Sequence, residues 1–167
     1  MSLERLWAGW RSEYIDAVAN APSDEQPGDG CVMCRLAAAD PEEALVLCRD
    51  DHAFAVLNAY PYTSGHLMVA PVRHVAELDA LTAAEAASVM ALTQQATAAI
   101  RTAYRPDGQN LGANIGRSAG AGVPGHIHVH ALPRWAGDTN FLTSVAEARV
   151  LPEPLPKTWE KLRAAWP

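Results

Sequence analysis

The stretch GHIHVHALPRW, residues 125–135, carries three of the six histidines of the chain at alternate positions, His126, His128 and His130. Side chains on a β-strand alternate between its two faces, so this spacing predicts that the three imidazoles share one face, roughly 6.6 Å apart. The apolar residues between them then point to the other face. The sequence therefore predicts a strand with one buried side and one side rich in histidine.

Histidines in this pattern have two ordinary explanations, a solvated strand surface or a set of metal ligands. The preceding loop favours a third. Its glycines, Gly116, Gly120, Gly122 and Gly125, permit backbone geometries in which successive N–H groups turn towards an anion, and Ser118 adds a hydroxyl donor. A phosphate held there would face the histidines, and a neutral imidazole is a competent nucleophile towards phosphorus.

Upstream of this loop, short apolar runs and one long periodic segment predict an α+β fold. A capping-box pattern, Thr82 with Glu85, predicts the start of an alanine-rich helix that ends near Tyr104. The composition of the tail, 156–166, is compatible with a short helix. Further strands are predicted at 44–48, 52–58, 65–72 and 109–116. We expect an antiparallel sheet of about five strands, with one long helix and a short C-terminal helix.

A length of 167 residues predicts a single domain, 1–167. Within it, residues 1–30 are expected to form an N-terminal arm and loop, and residues 136–167 a C-terminal extension. The sequence has no apolar run of about 20 residues and starts without a secretory signal pattern, so we expect a cytoplasmic protein with no membrane contact.

The formal net charge of −6 argues against a nucleic-acid-binding protein, which usually carries a basic stripe. Three cysteines do not suggest a disulfide framework. Cys31 and Cys34 form a C-x-x-C pair, which permits a redox site, a metal site or coincidence. A thioredoxin-type redox motif needs a βαβ context, which the polar loop before Cys31 does not provide.

The HIHVHAL segment resembles the signature of the histidine triad (HIT) superfamily of nucleotide hydrolases and transferases. The segments LWAGWRSEYI, CVMC, VLNAYPYTSGHLMVAPVRH, NLGANIG and HIHVHALPRW are similar to the fragile-histidine-triad branch. That branch includes bacterial diadenosine tetraphosphate phosphorylases and hydrolases. The resemblance covers most of the chain.

The resemblance implies roles for particular residues. His128 would be the nucleophile that forms a nucleotidyl-histidine intermediate, and His130 would support the charge on phosphate. Asn114 would contact phosphate, Asn58 would contact ribose, and His66 would lie beside the triad or be a structural histidine. Family members pair through the long helix and a strand, so a homodimer is expected, with a nucleotide or dinucleoside polyphosphate as substrate and no organic cofactor.

Many bacterial members of the family bind a structural zinc, which suggests the ligand set Cys31, Cys34, His74 and His126. Structural zinc takes four ligands, commonly two thiolates and two imidazoles. His126 also belongs to the catalytic triad, and a histidine that ligates zinc cannot contact phosphate. Two rivals to a nucleotide-cleaving enzyme remain at this point, a non-catalytic nucleotide sensor and a metal-dependent enzyme with the three histidines as ligands.

Overall fold

The computed structural model describes residues 27–138 and 153–167, and within them it forms a five-stranded antiparallel sheet. The strands lie in the order β1-β2-β3-β5-β4. The sheet confirms the predicted fold class. Most of the predicted arm, 1–30, and part of the extension, 136–167, lie outside the described residues. The strands are β1 (Val46–Arg49), β2 (Ala53–Leu57), β3 (Leu67–Pro71), β4 (Gly108–Gly112) and β5 (Val129–Arg134).

In the described part of the chain, three α-helices accompany the sheet: α1 (Val32–Ala38), α2 (Ala83–Tyr104) and α3 (Leu155–Ala165). The long helix α2 starts at the predicted capping box. The Thr82 hydroxyl accepts from the Glu85 N–H, and the Glu85 carboxylate accepts from the Thr82 N–H at 2.8 Å. No helix in the described ranges is both long and apolar enough to cross a bilayer.

The sheet is covered on both faces, and the alternation of side chains decides which residue faces which helix. On β2, Ala53, Ala55 and Leu57 belong to the core that includes residues of α2 and α3, whereas Phe54 and Val56 belong to the core that includes residues of α1. Every residue of β2 and β3 is buried. On β5, Val129 and Ala131 pack with the α2 core, as the sequence predicts for the apolar face of the histidine strand.

The regular part of β5 begins at Val129, so the prediction of one strand carrying all three histidines is wrong in extent. Val129 and His130 pair with β3, opposite Val69 and Met68. Before Val129 the backbone does not pair with β3. The Ile127 N–H instead donates a hydrogen bond to the carbonyl of Val75, in the loop after β3, at 2.8 Å. His126 and His128 therefore lie on an irregular segment that leads into β5. The predicted strand 109–116 is also shorter and ends at Gly112.

Helix α3 packs across β1, which is one edge of the sheet. The Trp159 indole N–H donates to the Val46 carbonyl at 3.0 Å, and the Arg163 guanidinium donates to the Leu47 carbonyl at 2.9 Å. Leu162 is fully buried between these two contacts along the helix. Side-chain donors from α3 thus occupy backbone acceptors of the edge strand.

Candidate active site and metal centre

His130 and His66 form the centre of the site, on the face of the sheet opposite α2. His130 pairs with Met68 across the β3–β5 ladder, and His66 lies just before β3 at 1% exposure. Alternation puts both histidines on the side of the sheet that α1 covers, because Met68 belongs to the α1 core. His66 Nε2 and His130 Nδ1 are 2.9 Å apart.

Backbone donors determine the tautomers of this pair. The N–H of Tyr62 lies 3.1 Å from His66 Nδ1, so Nδ1 must accept and Nε2 carries the proton of a neutral ring. His66 Nε2–H therefore donates to His130 Nδ1. It follows that a neutral His130 is protonated at Nε2 and presents that N–H as a donor.

The orientation of His128 is fixed by the main chain as well. Its Nδ1 lies 2.9 Å from the carbonyl oxygen of His126, and a carbonyl can only accept, so Nδ1 carries the proton. The Nε2 atom of a neutral His128 then holds an unshared lone pair. The rings of His128 and His130 are 4.9 Å apart and nearly perpendicular. The structure therefore brings a lone pair and an N–H donor to adjacent rings.

Burial keeps both rings neutral. Desolvation lowers the pKa of His128, although the bond to the His126 carbonyl acts in the opposite direction. Desolvation, with a smaller contribution from the charge of His128, lowers the pKa of His130 to about 4. At neutral pH both rings are therefore uncharged, with a lone pair on His128 Nε2 and an N–H on His130 Nε2.

His126 faces away from this pair and belongs to a separate cluster. Its Nε2–H donates to the Pro71 carbonyl at 2.8 Å, so Nδ1 holds the lone pair. That atom lies 3.5 Å from Cys31 Sγ and 3.7 Å from Cys34 Sγ. The neighbouring His74 Nδ1 lies 3.4 Å from Cys34 Sγ.

These four residues, Cys31, Cys34, His74 and His126, can hold a metal ion, since their ligand atoms all lie within 4.8 Å of one another. The bond to Pro71 is the kind of outer contact that fixes the tautomer and direction of a ligating histidine. Desolvation, with Cys34 close by, raises the pKa of the Cys31 thiol, an effect that a bound cation reverses. Across residues 27–138 and 153–167, no group of at least three potential ligands includes His128 or His130.

The glycine loop leads directly into this segment. Left-handed geometry is confined there to Gly116, with φ of 78°, and Gly120, with φ of 90°. The amides of Ala119 and Ala121 bond to the Gly116 carbonyl, and the Gly120 amide bonds to Arg117. These three N–H groups are thus already used within the loop, and an anion would have to take others.

Of the remaining predicted substrate contacts, Asn58 bonds to His66, whereas Asn114, Ser118 and Gly122 belong to the glycine loop and the segment before it. The side-chain amide of Asn114 donates a hydrogen bond to the Gly120 carbonyl at 3.4 Å and so closes the glycine loop. Ser118 and Gly122 are exposed. Asn58, at the end of β2, has its amide 3.3 Å from His66 Nδ1 and accepts from the Tyr60 N–H. Its side chain keeps one further donor and acceptor position for a ligand.

Tyr62 is a site residue that the sequence reasoning did not single out. Its ring lies 4.4 Å from the ring of His66 and stacks on His130 at 5.8 Å with an interplanar angle of 28°. Its backbone N–H also sets the tautomer of His66. The available signal was an aromatic residue in the turn between β2 and β3, four residues before His66.

Comparison with known proteins identifies the family of this chain. A family model described as the HIT domain matches residues 41–137. The chain belongs to the HIT family. Among proteins similar to it, an AP-4-A phosphorylase of Mycobacterium tuberculosis is 42% identical over 168 residues, which cover 98% of this chain and 85% of the relative.

Solved structures share the fold. A Zn-bound histidine triad family protein from Mycobacterium smegmatis has a TM-score of 0.66 and 30% identity, with 81% of this chain and 91% of that chain covered. A hypothetical histidine triad nucleotide-binding protein from Sulfolobus tokodaii has a TM-score of 0.65 and 27% identity over the same shares of the two chains.

Proposed function

We propose that this protein is a nucleotide hydrolase or transferase that cleaves dinucleoside polyphosphates at the α-phosphate, with His128 as the nucleophile. The observation that carries this proposal is the 2.9 Å bond between His128 Nδ1 and the His126 carbonyl. Because that bond holds the proton on Nδ1, the lone pair of the neutral ring is on Nε2, the atom farthest from the main chain. Nucleophilic catalysis by histidine requires such an atom.

In the first step, the Nε2 lone pair attacks the α-phosphorus. A phosphorus–nitrogen bond forms, the bond to the bridging oxygen breaks, and the polyphosphate half leaves with the electron pair. The Nε2–H of His130 donates to the phosphate oxygens, where negative charge is concentrated in the transition state. In the second step, an oxygen of water or inorganic phosphate attacks the same phosphorus as the phosphorus–nitrogen bond breaks. The electron pair returns to Nε2 of His128, and the proton lost by an attacking water passes to solvent.

One relative supports a particular substrate class. The similarity to an AP-4-A phosphorylase supports diadenosine tetraphosphate as the first compound to test. We assign Asn58 to a ribose contact and Asn114 and Ser118 to phosphate contacts, together with the exposed glycines of the loop. Gly116 and Gly120 shape the loop by their positive φ angles. His66 acts through His130, because both of its ring nitrogens are bonded to the protein.

We assign the Cys31, Cys34, His74 and His126 cluster to zinc with a structural role. A tetrahedral zinc with bonds of about 2.3 Å to sulfur and 2.0 Å to nitrogen separates its ligand atoms by roughly 3.3–3.8 Å. The sulfur–nitrogen distances of 3.4, 3.5 and 3.7 Å match this range. Bound zinc would tie α1 to the segment before His128, and four protein ligands leave it no open position for catalysis. His126 is accordingly a ligand and its carbonyl orients the nucleophile.

Both rival functions have less support. A metal-dependent enzyme would need the three histidines around one ion, whereas His126 lies with the cysteines and His128 with His130. A nucleotide sensor would not need a hydrogen bond that keeps the proton on His128 Nδ1 and leaves a lone pair on Nε2. The sensor is tested by the absence of turnover in the wild-type protein.

We further propose a cytoplasmic homodimer that assembles through β4 and the exposed face of α2. Three large apolar side chains in these parts of the chain are exposed: Leu111 on β4 at 53%, Ile115 after it at 40% and Met90 on α2 at 59%. Three free cysteines fit a reducing compartment, and a net charge of −6 fits a protein that binds neither nucleic acid nor an anionic membrane.

The test is an assay on diadenosine tetraphosphate with and without inorganic phosphate, with products separated by chromatography. ADP that forms only with phosphate identifies a phosphorylase, and AMP plus ATP identifies a hydrolase. His128→Asn should abolish turnover and retain nucleotide binding. Wild-type protein that binds the nucleotide and converts none of it would refute the enzyme.

A further inference from the structure

The ring of Tyr104, the last residue of α2, packs against the backbone that precedes His66. A Cβ atom added to Gly65 would lie 2.9 Å from Tyr104 Cε2 and 3.2 Å from Pro133 Cγ, closer than side chains normally approach. Gly65 has φ of +87°. Only glycine lets the turn approach the ring this closely, so the position of Tyr104 sets the position of the turn.

The same ring also contacts the strand that carries His130. Pro133 lies on β5, and the ring of Trp135, just after β5, is 6.2 Å from Tyr104 in an edge-to-face arrangement. Tyr104 therefore lies between the two backbone segments whose histidines form the 2.9 Å bond.

Glu153, which precedes α3, holds the Tyr104 side chain in place. The phenol donates to Glu153 Oε1 at 2.7 Å, and Thr158 donates to the same oxygen at 3.0 Å. Lys161 Nζ lies 3.2 Å from Glu153 Oε2 and 4.3 Å from the centre of the Tyr104 ring. Thr158 is 2% exposed, so the carboxylate is fixed by buried as well as charged donors.

We propose that Tyr104 and Glu153 are positioning residues for the reaction, and that the Glu153 carboxylate holds the Tyr104 ring in the place that aligns His66 with His130. Its catalytic consequence rests on the function proposed above. Neither residue touches substrate. The C-terminal helix thereby contributes to the geometry of a site on the opposite face of the sheet.

Two conservative variants test this inference, Glu153→Gln and Tyr104→Phe, because both keep the packing and weaken the bond between the side chains. Glu160→Gln, an exposed site on α3, is the matched control. We expect kcat for diadenosine tetraphosphate to fall roughly tenfold in both variants, with KM within twofold, since misplaced catalytic groups slow the reaction without loss of substrate contacts. The control should match the wild type.

A spectroscopic measurement separates positioning from simple stability. The ring nitrogen signals of His66 and His130, observed by 15N NMR of the full-length protein, should change in both variants and not in Glu160→Gln. Unchanged ring signals would overturn the proposal, and so would changed signals with unaltered kcat. If the wild type cleaves no nucleotide but the ring signals still respond, the proposed function fails and the structural coupling stands.

Discussion

His66 Nε2 donates a hydrogen bond to His130 Nδ1 across 2.9 Å, and this bond fixes the direction in which His130 can donate. Without it, the His130 ring is free to rotate or to change tautomer. His66→Phe keeps the size of the ring and removes both nitrogens. We expect kcat to fall roughly ten- to hundredfold, less than the loss of up to about 10⁴-fold on removal of a group that itself donates in the transition state, because His66 only orients that donor. His52→Phe, at an exposed histidine, is the control in the same steady-state assay. Equal rates in the two variants would show that His66 has no such role.

The metal cluster gives a prediction that needs no substrate. Elemental analysis should find about one zinc per chain, by the four-ligand rule for structural sites. Cys31→Ser should lose the metal and lower Tm, whereas Cys48→Ser should keep it, because Cys48 lies outside the cluster. His130→Ala should also retain the metal. Loss of zinc in His130→Ala would instead favour a site built from the three triad histidines.

The depressed pKa of His130 makes stability depend on pH. The folded protein holds this ring neutral down to about pH 4, whereas the unfolded chain protonates it near 6.5. Below pH 6.5 the unfolded state therefore binds more protons, so stability falls as the pH drops from 6.5 to 4 and then levels off. The contribution of His130 is on the order of 2 kcal/mol after allowance for partial exposure.

Urea unfolding at pH 7 and pH 4.5 measures this contribution. His130→Asn should show a smaller loss of stability between the two pH values than the wild type, and His52→Asn should behave as the wild type. An unchanged difference in His130→Asn would mean that the ring is protonated equally in both states.

The capping box of α2 should contribute measurable stability. Thr82→Ala removes the hydroxyl that accepts from the Glu85 N–H, at a cost of about 1 kcal/mol in the free energy of unfolding. Thr102→Ala, at an exposed interior position of the same helix, should be neutral or slightly stabilising because alanine is the better helix former. Chemical unfolding of both variants is the measurement, and equal effects would contradict a capping role.

The proposed dimer can be broken by a charge at its centre. Leu111→Asp should shift sedimentation from dimer to monomer, because an unpaired carboxylate in an apolar interface is strongly unfavourable. Leu78→Asp is the matched control, since Leu78 is similarly exposed at 56% but lies on a turn away from β4. A wild-type protein that sediments as a monomer at micromolar concentration would refute the dimer.

The sequence predicts those parts of this fold that depend on local pattern. The Thr82–Glu85 box and the apolar runs of β2 and β3 are short-range signals, and the structure has all three elements where they are expected. The two cysteines of the C-x-x-C pair also lie together in the structure, because the first turn of α1 brings Cys34 close to Cys31.

The features that the sequence did not predict depend on residues that are distant in the chain. Alternation alone places His126 with His128, but the Pro71 carbonyl, 55 residues away, accepts from His126 and turns its other nitrogen towards the cysteines. No local pattern contains that acceptor. The contact between Tyr104 and Glu153 spans 49 residues and is equally invisible to periodicity. The sequence motif identifies the candidate histidines, but hydrogen bonds to distant residues determine where their side chains lie.

The side chains of Trp159 and Arg163 have a consequence for how copies of this protein can add to one another. The sheet has two edge strands, β1 and β4, and at β1 the side chains of α3 bond to two backbone carbonyls. Among the described residues, no strand lies beyond β4. Within the described residues, backbone pairing with a second copy is therefore open at β4 and hindered at β1. By covering β1, the C-terminal helix opposes the open-ended edge-to-edge pairing of strands that leads to fibrils.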